Sequence, residues 1–239
     1  MKRKSHFHFK QFTLRDDQCT MKVGTDGALI GAWADFGGAL EILDIGTGSG
    51  LIALMAAQRS LPAAFIDGVE IANADARQAA ENVLNSPWPL KVAIHRCSIQ
   101  EFQPQKSYDV IITNPPFFFN SLESPDKRRQ QTRHAASLDH NTLIESAKRL
   151  LKSEGRLNII LPYTEGLTFI RQARTHAFFC RRKFIFKTRR DKPPERLLLE
   201  FRFTENPPDE GEIILYEEGL NWSEEYRRLT ADFYLEREL

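Results

Sequence analysis

The sequence predicts an α/β fold, a Rossmann-like, doubly wound and mostly parallel sheet of seven strands that ends in an antiparallel hairpin. Short apolar runs alternate with helical patterns between residues 40 and 176, the order that builds a parallel sheet with helices on both faces. A glycine-rich turn joins the first apolar run to a helix at residues 45–51, as in nucleotide-binding sheets. Two alternating segments, at residues 183–188 and 197–203, predict the closing hairpin.

Composition indicates an ordinary globular chain. Its 239 residues are 41% hydrophobic and 27% charged, enough for one domain with a sizeable core. We divide residues 1–239 into an N-terminal arm and helix (1–35), a cofactor-binding core (36–204) and an acidic C-terminal extension (205–239). No apolar run approaches the length of a membrane span, and the N-terminus does not resemble a secretory signal. We therefore expect a cytoplasmic protein.

Hydrophobic pattern and chain breakers place the other elements. Alternating Phe7, Phe9 and Phe12 predict a short strand or an arm. Gly155 is expected to end a helix, and the polar stretch 120–140 is expected to be a long, functional loop. The predicted strands are 40–45, 63–70, 91–96, 108–113 and 156–161, and the predicted helices are 51–57, 72–85, 141–152 and 165–176, with another starting at 28–33.

The glycine turn is the first candidate site. An acid at Asp44 is followed by Gly46, Gly48 and Gly50, with Thr47 inside the turn. Glycine permits positive φ and a close approach of ligand to backbone. A dinucleotide fingerprint would place its third glycine one residue later. The spacing therefore suits a cofactor with an amino-acid end and no pyrophosphate, although such a turn can also be purely structural.

Two polar residues follow the next strands. Glu70 lies at the end of the second strand, where an acid accepts hydrogen bonds from ribose hydroxyls in such folds. Its alternative role is to cap the next helix. Ser98, after the third strand, is positioned to bond the edge of an adenine, and a turn serine is the equal alternative.

The segment Asn114-Pro115-Pro116-Phe117 is the most specific signal in the chain. Each proline fixes φ and lacks an N–H, and the residue before each is extended. The segment thus offers a rigid row of carbonyl oxygens, the Asn114 amide and an aromatic face. Two acceptors that hydrogen-bond both N–H groups of an exocyclic amine would draw its nitrogen lone pair out of the ring and make it nucleophilic. No strong general base is required, because the proton can leave after alkylation. We predict these four residues to be catalytic.

Charge and cysteine usage constrain partners. Net charge is only +1, yet residues 181–192 carry seven basic side chains against one acidic, and residues 205–239 carry eleven acidic against three basic. These segments can be a solvated surface with a polar tail. With a nucleic-acid substrate, the basic segment 181–192 and the first ten residues, which carry four Lys and Arg side chains, become candidate phosphate contacts. Cys19, Cys97 and Cys180 lack CxxC spacing, which predicts reduced thiols and no metal site.

The motifs at residues 44–50, Glu70 and 114–117 resemble S-adenosylmethionine-dependent methyltransferases of class I that act on amino nitrogens. A further match at residues 22–27 and Gly31-Ala32-Trp33 narrows the resemblance to one family among these methyltransferases. With residues 9–12 they are similar to the bacterial tRNA1(Val) (adenine-37-N6)-methyltransferase family, over most of the chain. Many relatives carry aspartate where this chain has Ser98.

The resemblance implies S-adenosylmethionine as cofactor and the tRNA anticodon loop as partner, with a monomeric, non-membrane enzyme. It implies that Gly46 to Gly48 wrap the methionine part and Glu70 binds the ribose. Asn114, with the Pro115 carbonyl, would bind the target amine, and Asn114 is also counted among the cofactor-binding residues. Alternatives are the 2-amino group of guanine in ribosomal RNA, a release-factor glutamine, and a cofactor-binding module without catalysis.

Overall fold

The computed structural model describes residues 6–116 and 139–235. Its strands are β1 His6–His8, β2 Thr13–Arg15, β3 Glu41–Ile45, β4 Phe65–Val69, β5 Val92–His95, β6 Tyr108–Thr113, β7 Leu151–Pro162, β8 Phe179–Lys187, β9 Arg196–Arg202 and β10 Asp209–Ile214. Its helices are α1 Thr25–Trp33, α2 Leu51–Arg59, α3 Asn73–Leu84, α4 His140–Leu150, α5 Tyr163–Thr175 and α6 Glu224–Thr230.

The central sheet confirms the predicted fold class. Its order is β10-β8-β9-β7-β6-β3-β4-β5. The five successive strands β7, β6, β3, β4 and β5 are paired in parallel. β9 runs antiparallel to both β7 and β8, which gives the predicted closing hairpin. The sheet has eight strands, one more than predicted, because β10 pairs in parallel with β8. β1 and β2 form a separate antiparallel pair.

Each face of the sheet carries its own apolar core. Helices α1, α2 and α6 contribute buried side chains such as Leu29, Leu54 and Tyr226 to one core, and Phe233, which follows α6, joins them. Helices α4 and α5 cover the other face, around Leu43 and Phe169. Burial of this apolar surface on both faces is what the near-continuous apolar strands require.

The expectation for Gly155 was wrong. Helix α4 ends at Leu150, β7 begins at once, and Gly155 lies inside that strand. A Cβ on Gly155 would lie 2.9 Å from the carbonyl oxygen of Tyr108, where the pairing of β6 with β7 shifts register. The glycine is therefore needed for a close approach of two strands. Within the residues described, no helix is long and apolar enough to cross a membrane.

Candidate functional site

Three predicted site residues follow three adjacent strands at the same edge of the sheet. Ile45 of β3 pairs in register with Val69 of β4 and with Thr113 of β6. Gly46, Glu70 and Asn114 are the next residues of their strands. Because neighbouring strands lie about 4.8 Å apart, Glu70 and Asn114 flank the glycine turn on its two sides. The structure therefore brings these candidates together at the carboxyl edge, where ligands of such sheets bind.

The glycine turn has the backbone that its sequence predicts. Gly46, Gly48 and Gly50 have φ of 71°, 55° and 84°, in the left-handed region that favours glycine. The N–H groups of Gly46 and Thr47 both donate to the carbonyl oxygen of Val69, at 2.9 and 3.1 Å. The turn is thus fastened to the end of β4.

Glu70 is joined to this turn by its side chain. Its Oε2 accepts from the Gly48 N–H at 3.0 Å, and its Oε1 accepts from the Ala72 N–H at 2.8 Å. Burial raises the pKa of Glu70, and these two hydrogen bonds oppose that rise. Glu70 is not the N-cap of α3, because the N-cap is Ala72 and no side chain of the described residues caps the first turn of the helix. Each oxygen also keeps lone-pair capacity for another donor.

Asp44 is fully buried at the end of β3. Thr47 donates from Oγ1 to its Oδ2 at 2.6 Å, whereas Oδ1 has no hydrogen-bond partner among the residues described. Burial raises the pKa of Asp44 to about 7. The Thr47 hydroxyl and the Ala53 N–H oppose this rise, and the charge of Glu70 adds to it by less. A buried carboxylate with an open oxygen fits a site for a cationic or N–H-bearing ligand group.

Asn114 also has an open acceptor. Its Oδ1 is buried and, within the described parts of the chain, makes no hydrogen bond. Below it, Thr113 donates from Oγ1 to the Ile45 carbonyl at 2.8 Å, which fixes β6 against β3. Pro115 is buried and Pro116 is half-buried. Phe117 lies outside the described residues, as does the predicted loop apart from its last two residues.

Ser98 makes hydrogen bonds within its own turn. Its Oγ donates to Glu101 Oε2 at 2.9 Å and accepts from the Glu101 N–H at 3.3 Å. A cleft of about 700 Å³ opens beside this turn, lined by residues such as Asp67, His95 and Lys106. None of the residues that line the cleft is a predicted site residue. The charge of Asp67, one of the lining residues, is balanced by Lys106, whose Nζ lies 2.9 Å from Asp67 Oδ2. Hydrogen bonds from His95, Lys106 and Tyr108 outweigh burial and hold the pKa of Asp67 low.

Sequence reasoning missed the residues that anchor the N-terminal arm to the site. Asn82 of α3, which is buried, donates from Nδ2 to the carbonyl oxygens of Ser49 and Arg15, at 2.8 and 2.7 Å. Asp75 of the same helix accepts from the Thr20 N–H at 2.9 Å. These partners lie far apart in the chain, so no local pattern indicates them.

The structure separates the predicted basic segment into two ends of β8. Arg182, near the amino end, packs over the Trp33 ring at 4.1 Å and pairs with buried Glu200. Arg189 and Arg190 follow the carboxyl end, at the same edge of the sheet as the candidate site. Burial raises the pKa of Glu225 and the charge of Arg190 opposes that rise, so the acidic extension lies near this end.

Comparison with solved structures gives the fold class. A predicted O-methyltransferase from Agrobacterium tumefaciens aligns with a TM-score of 0.67 at 17% identity, over 90% of this chain and all of that one. TYW2 of Pyrococcus horikoshii, solved in complex with MeSAdo, aligns with a TM-score of 0.59 at 12% identity, over 84% of this chain and 72% of that one. The fold is that of the class I methyltransferases.

Sequence comparison then gives the family. Residues 34–173 match the methyltransferase small domain family. A tRNA1(Val) (adenine(37)-N6)-methyltransferase of Dyadobacter fermentans is 44% identical over 98% of this chain and 99% of its own length. The enzyme of the same description from Bacteroides thetaiotaomicron is 42% identical over 96% and 97%. This chain belongs to the tRNA1(Val) (adenine(37)-N6)-methyltransferase family, as its motifs predicted.

Proposed function

We propose that this protein transfers a methyl group from S-adenosylmethionine to the 6-amino group of adenine 37 in tRNA1(Val), next to the anticodon. The observation that carries the chemistry is the Oδ1 of Asn114 beside the glycine turn, which is buried and has no partner among the described residues. The choice of base and RNA follows the full-length relatives, whose names specify adenine 37.

The residues at the carboxyl edge fit the cofactor. A Cβ added to Gly46 would meet no atom of the described residues within 4 Å, so these residues leave open space beside the backbone of the turn. The open Oδ1 of Asp44 lies directly before this turn and suits a ligand that carries a positive charge or N–H groups. Both features support a cofactor with an amino-acid end.

In this proposal, Gly46 to Gly48 surround the methionine part of the cofactor. Asp44, Thr47 and Gly50 belong to the same cofactor-binding turn. Glu70 accepts from the ribose hydroxyls while it continues to bond the Gly48 N–H. Ser98 contacts the adenine edge, for which it would exchange a bond to Glu101. The bound cofactor supplies an electrophilic methyl group on a sulfonium centre.

Asn114 and the Pro115 carbonyl act on the substrate amine. Their oxygens accept its two N–H groups, which draws the nitrogen lone pair out of conjugation with the base. The proline pair keeps these acceptors in place because its φ angles are fixed. Phe117, which lies outside the described residues, is assigned from the sequence motif to stack on the base. The proton leaves the nitrogen after methylation, so no general base is assigned.

Substrate class is tested by offering labelled cofactor with three acceptors in parallel: unmodified bacterial tRNA, ribosomal RNA and a release factor. We expect label in tRNA alone. Label in ribosomal RNA alone or in the release factor alone would transfer the assignment to that branch. Tight RNA binding with no methyl transfer to any acceptor would indicate a binding module. Sedimentation of the active protein checks that it is a monomer.

A further inference from the structure

The first turn of α1 forms an ion pair with a residue of strand β9, which is distant in the chain. Gly24 precedes this helix and provides no side-chain cap. Instead, Arg196 donates from Nε to Asp26 Oδ2 at 2.8 Å, across 170 positions of the chain. Arg196 is the first residue of β9 and pairs in register with Pro162, so its backbone belongs to the sheet.

The next residue of α1 lies against the acceptor amide. A Cβ built on Gly27 would be 3.8 Å from Asn114 Nδ2 and 3.2 Å from Leu51 Cδ2. The first turn of α1 therefore packs on the nitrogen side of the Asn114 amide and on the start of α2. The amide oxygen of Asn114 has no hydrogen bond in the described residues that would fix its orientation. Packing of α1 against the amide nitrogen is therefore what restricts rotation of the side chain.

We propose that Asp26 and Arg196 are positioning residues for methyl transfer, since their ion pair sets the first turn of α1 against Asn114. The inference rests on the proposed function, in which Asn114 accepts from the target amine. Both side chains are largely shielded, with exposed fractions of 23% for Asp26 and 27% for Arg196. Shielding limits solvent screening, so the pair acts as a defined contact between α1 and β9.

Kinetics test the role in the chemical step. Asp26→Asn and Arg196→Gln should each lower single-turnover methylation, by roughly tenfold to a hundredfold for a slightly misplaced acceptor. Cofactor affinity should stay at the wild-type value, and the double variant should lose no more than either single one. Glu210→Gln is the matched control, because it breaks the 2.8 Å pair with Lys183 on β8. Equal turnover in Asp26→Asn and Glu210→Gln, or a loss confined to cofactor affinity, would overturn the inference.

A second measurement does not depend on activity. In ¹⁵N spectra, the side-chain amide signal absent from Asn114→Asp identifies Asn114. That signal should move in Asp26→Asn and stay in place in Glu210→Gln, whereas an unmoved signal in Asp26→Asn would contradict the proposed contact. If the wild type methylates no RNA, the proposed function fails, and the amide signal still decides whether the ion pair positions Asn114.

Discussion

The backbone N–H of Gly48 donates to Glu70 Oε2 at 3.0 Å, which joins the turn after β3 to the residue after β4. The other carboxylate oxygen accepts from Ala72, at the start of α3. One side chain thus connects the two segments proposed for the methionine and ribose parts of the cofactor. Substitutions in either segment should therefore change the affinity for S-adenosylmethionine.

Substitution of Glu70 and Gly48 should weaken cofactor binding. Glu70→Ala removes a charged acceptor, which should cost about 1.5–3 kcal/mol of binding free energy. Gly48→Val places a β-branched residue at φ of 55°, a strained backbone for it. Calorimetric titration with S-adenosylmethionine measures both, with Glu81→Ala, on the exposed face of α3, as control. Unchanged affinity in both variants would refute the cofactor assignment of the turn.

Asp44 should make stability depend on pH. Its pKa of about 7 in the folded protein lies above that of an unfolded aspartate, about 3.9, so the native state binds the proton more tightly. The stabilisation this gives is complete below about pH 4 and is lost as pH rises through about 7. Relative to Asp44→Asn, the wild type should lose unfolding free energy between pH 5 and pH 8 in urea titrations. Parallel pH profiles for the two proteins would contradict this.

Removal of the Asn114 acceptor should affect chemistry more than binding. Asn114→Ala should reduce turnover by about 10² or more, the scale for loss of a preorganised polar group. Cofactor affinity should change little. Asn114→Asp should keep part of the activity, because a carboxylate still accepts hydrogen bonds. Single-turnover assays at saturating substrate give the comparison, with exposed Asn73→Ala as control. Near-normal turnover in Asn114→Ala would disprove the role.

RNA contact should differ between the two ends of β8. Arg190 is exposed at the carboxyl edge, whereas Arg181 lies near the amino end. Arg190→Gln should weaken tRNA binding and reduce the slope of log affinity against log salt by roughly 0.7, the value for one lost single-strand phosphate contact. Arg181→Gln removes the same charge and should leave the slope unchanged. Equal slopes in both variants would place the RNA surface on another basic segment, at residues 1–10 or 127–133.

The sequence predicted the placement of those candidate residues that follow the end of a strand. Glu70 and Asn114 each follow an apolar run, and parallel strands bring such ends to one edge. The contacts of Asn82 with Ser49 and of Asp26 with Arg196 were not predicted, since they depend on which distant segments pack together. The end of a strand can be located from its own residues. A contact between two distant segments can be located only once the folded structure shows which segments pack together.

Strand β10 shows a second limit. Its sequence begins with three acids around a glycine, so it was interpreted as part of a polar extension. In the structure two of these acids face basic partners on β8, with Lys183 paired to Glu210 at 2.8 Å and Lys187 paired to Glu212. Opposite charges on neighbouring strands stabilise an edge strand that hydrophobic alternation does not indicate.

The most direct test of the proposed function is the identity and position of the methylated nucleoside. Wild-type protein is incubated with labelled S-adenosylmethionine and an unmodified tRNA1(Val) transcript, which is then digested and analysed by mass spectrometry. The account predicts N6-methyladenosine at position 37, and none in a transcript with guanine at that position. Methylguanosine, or N6-methyladenosine that persists when position 37 is guanine, would contradict it.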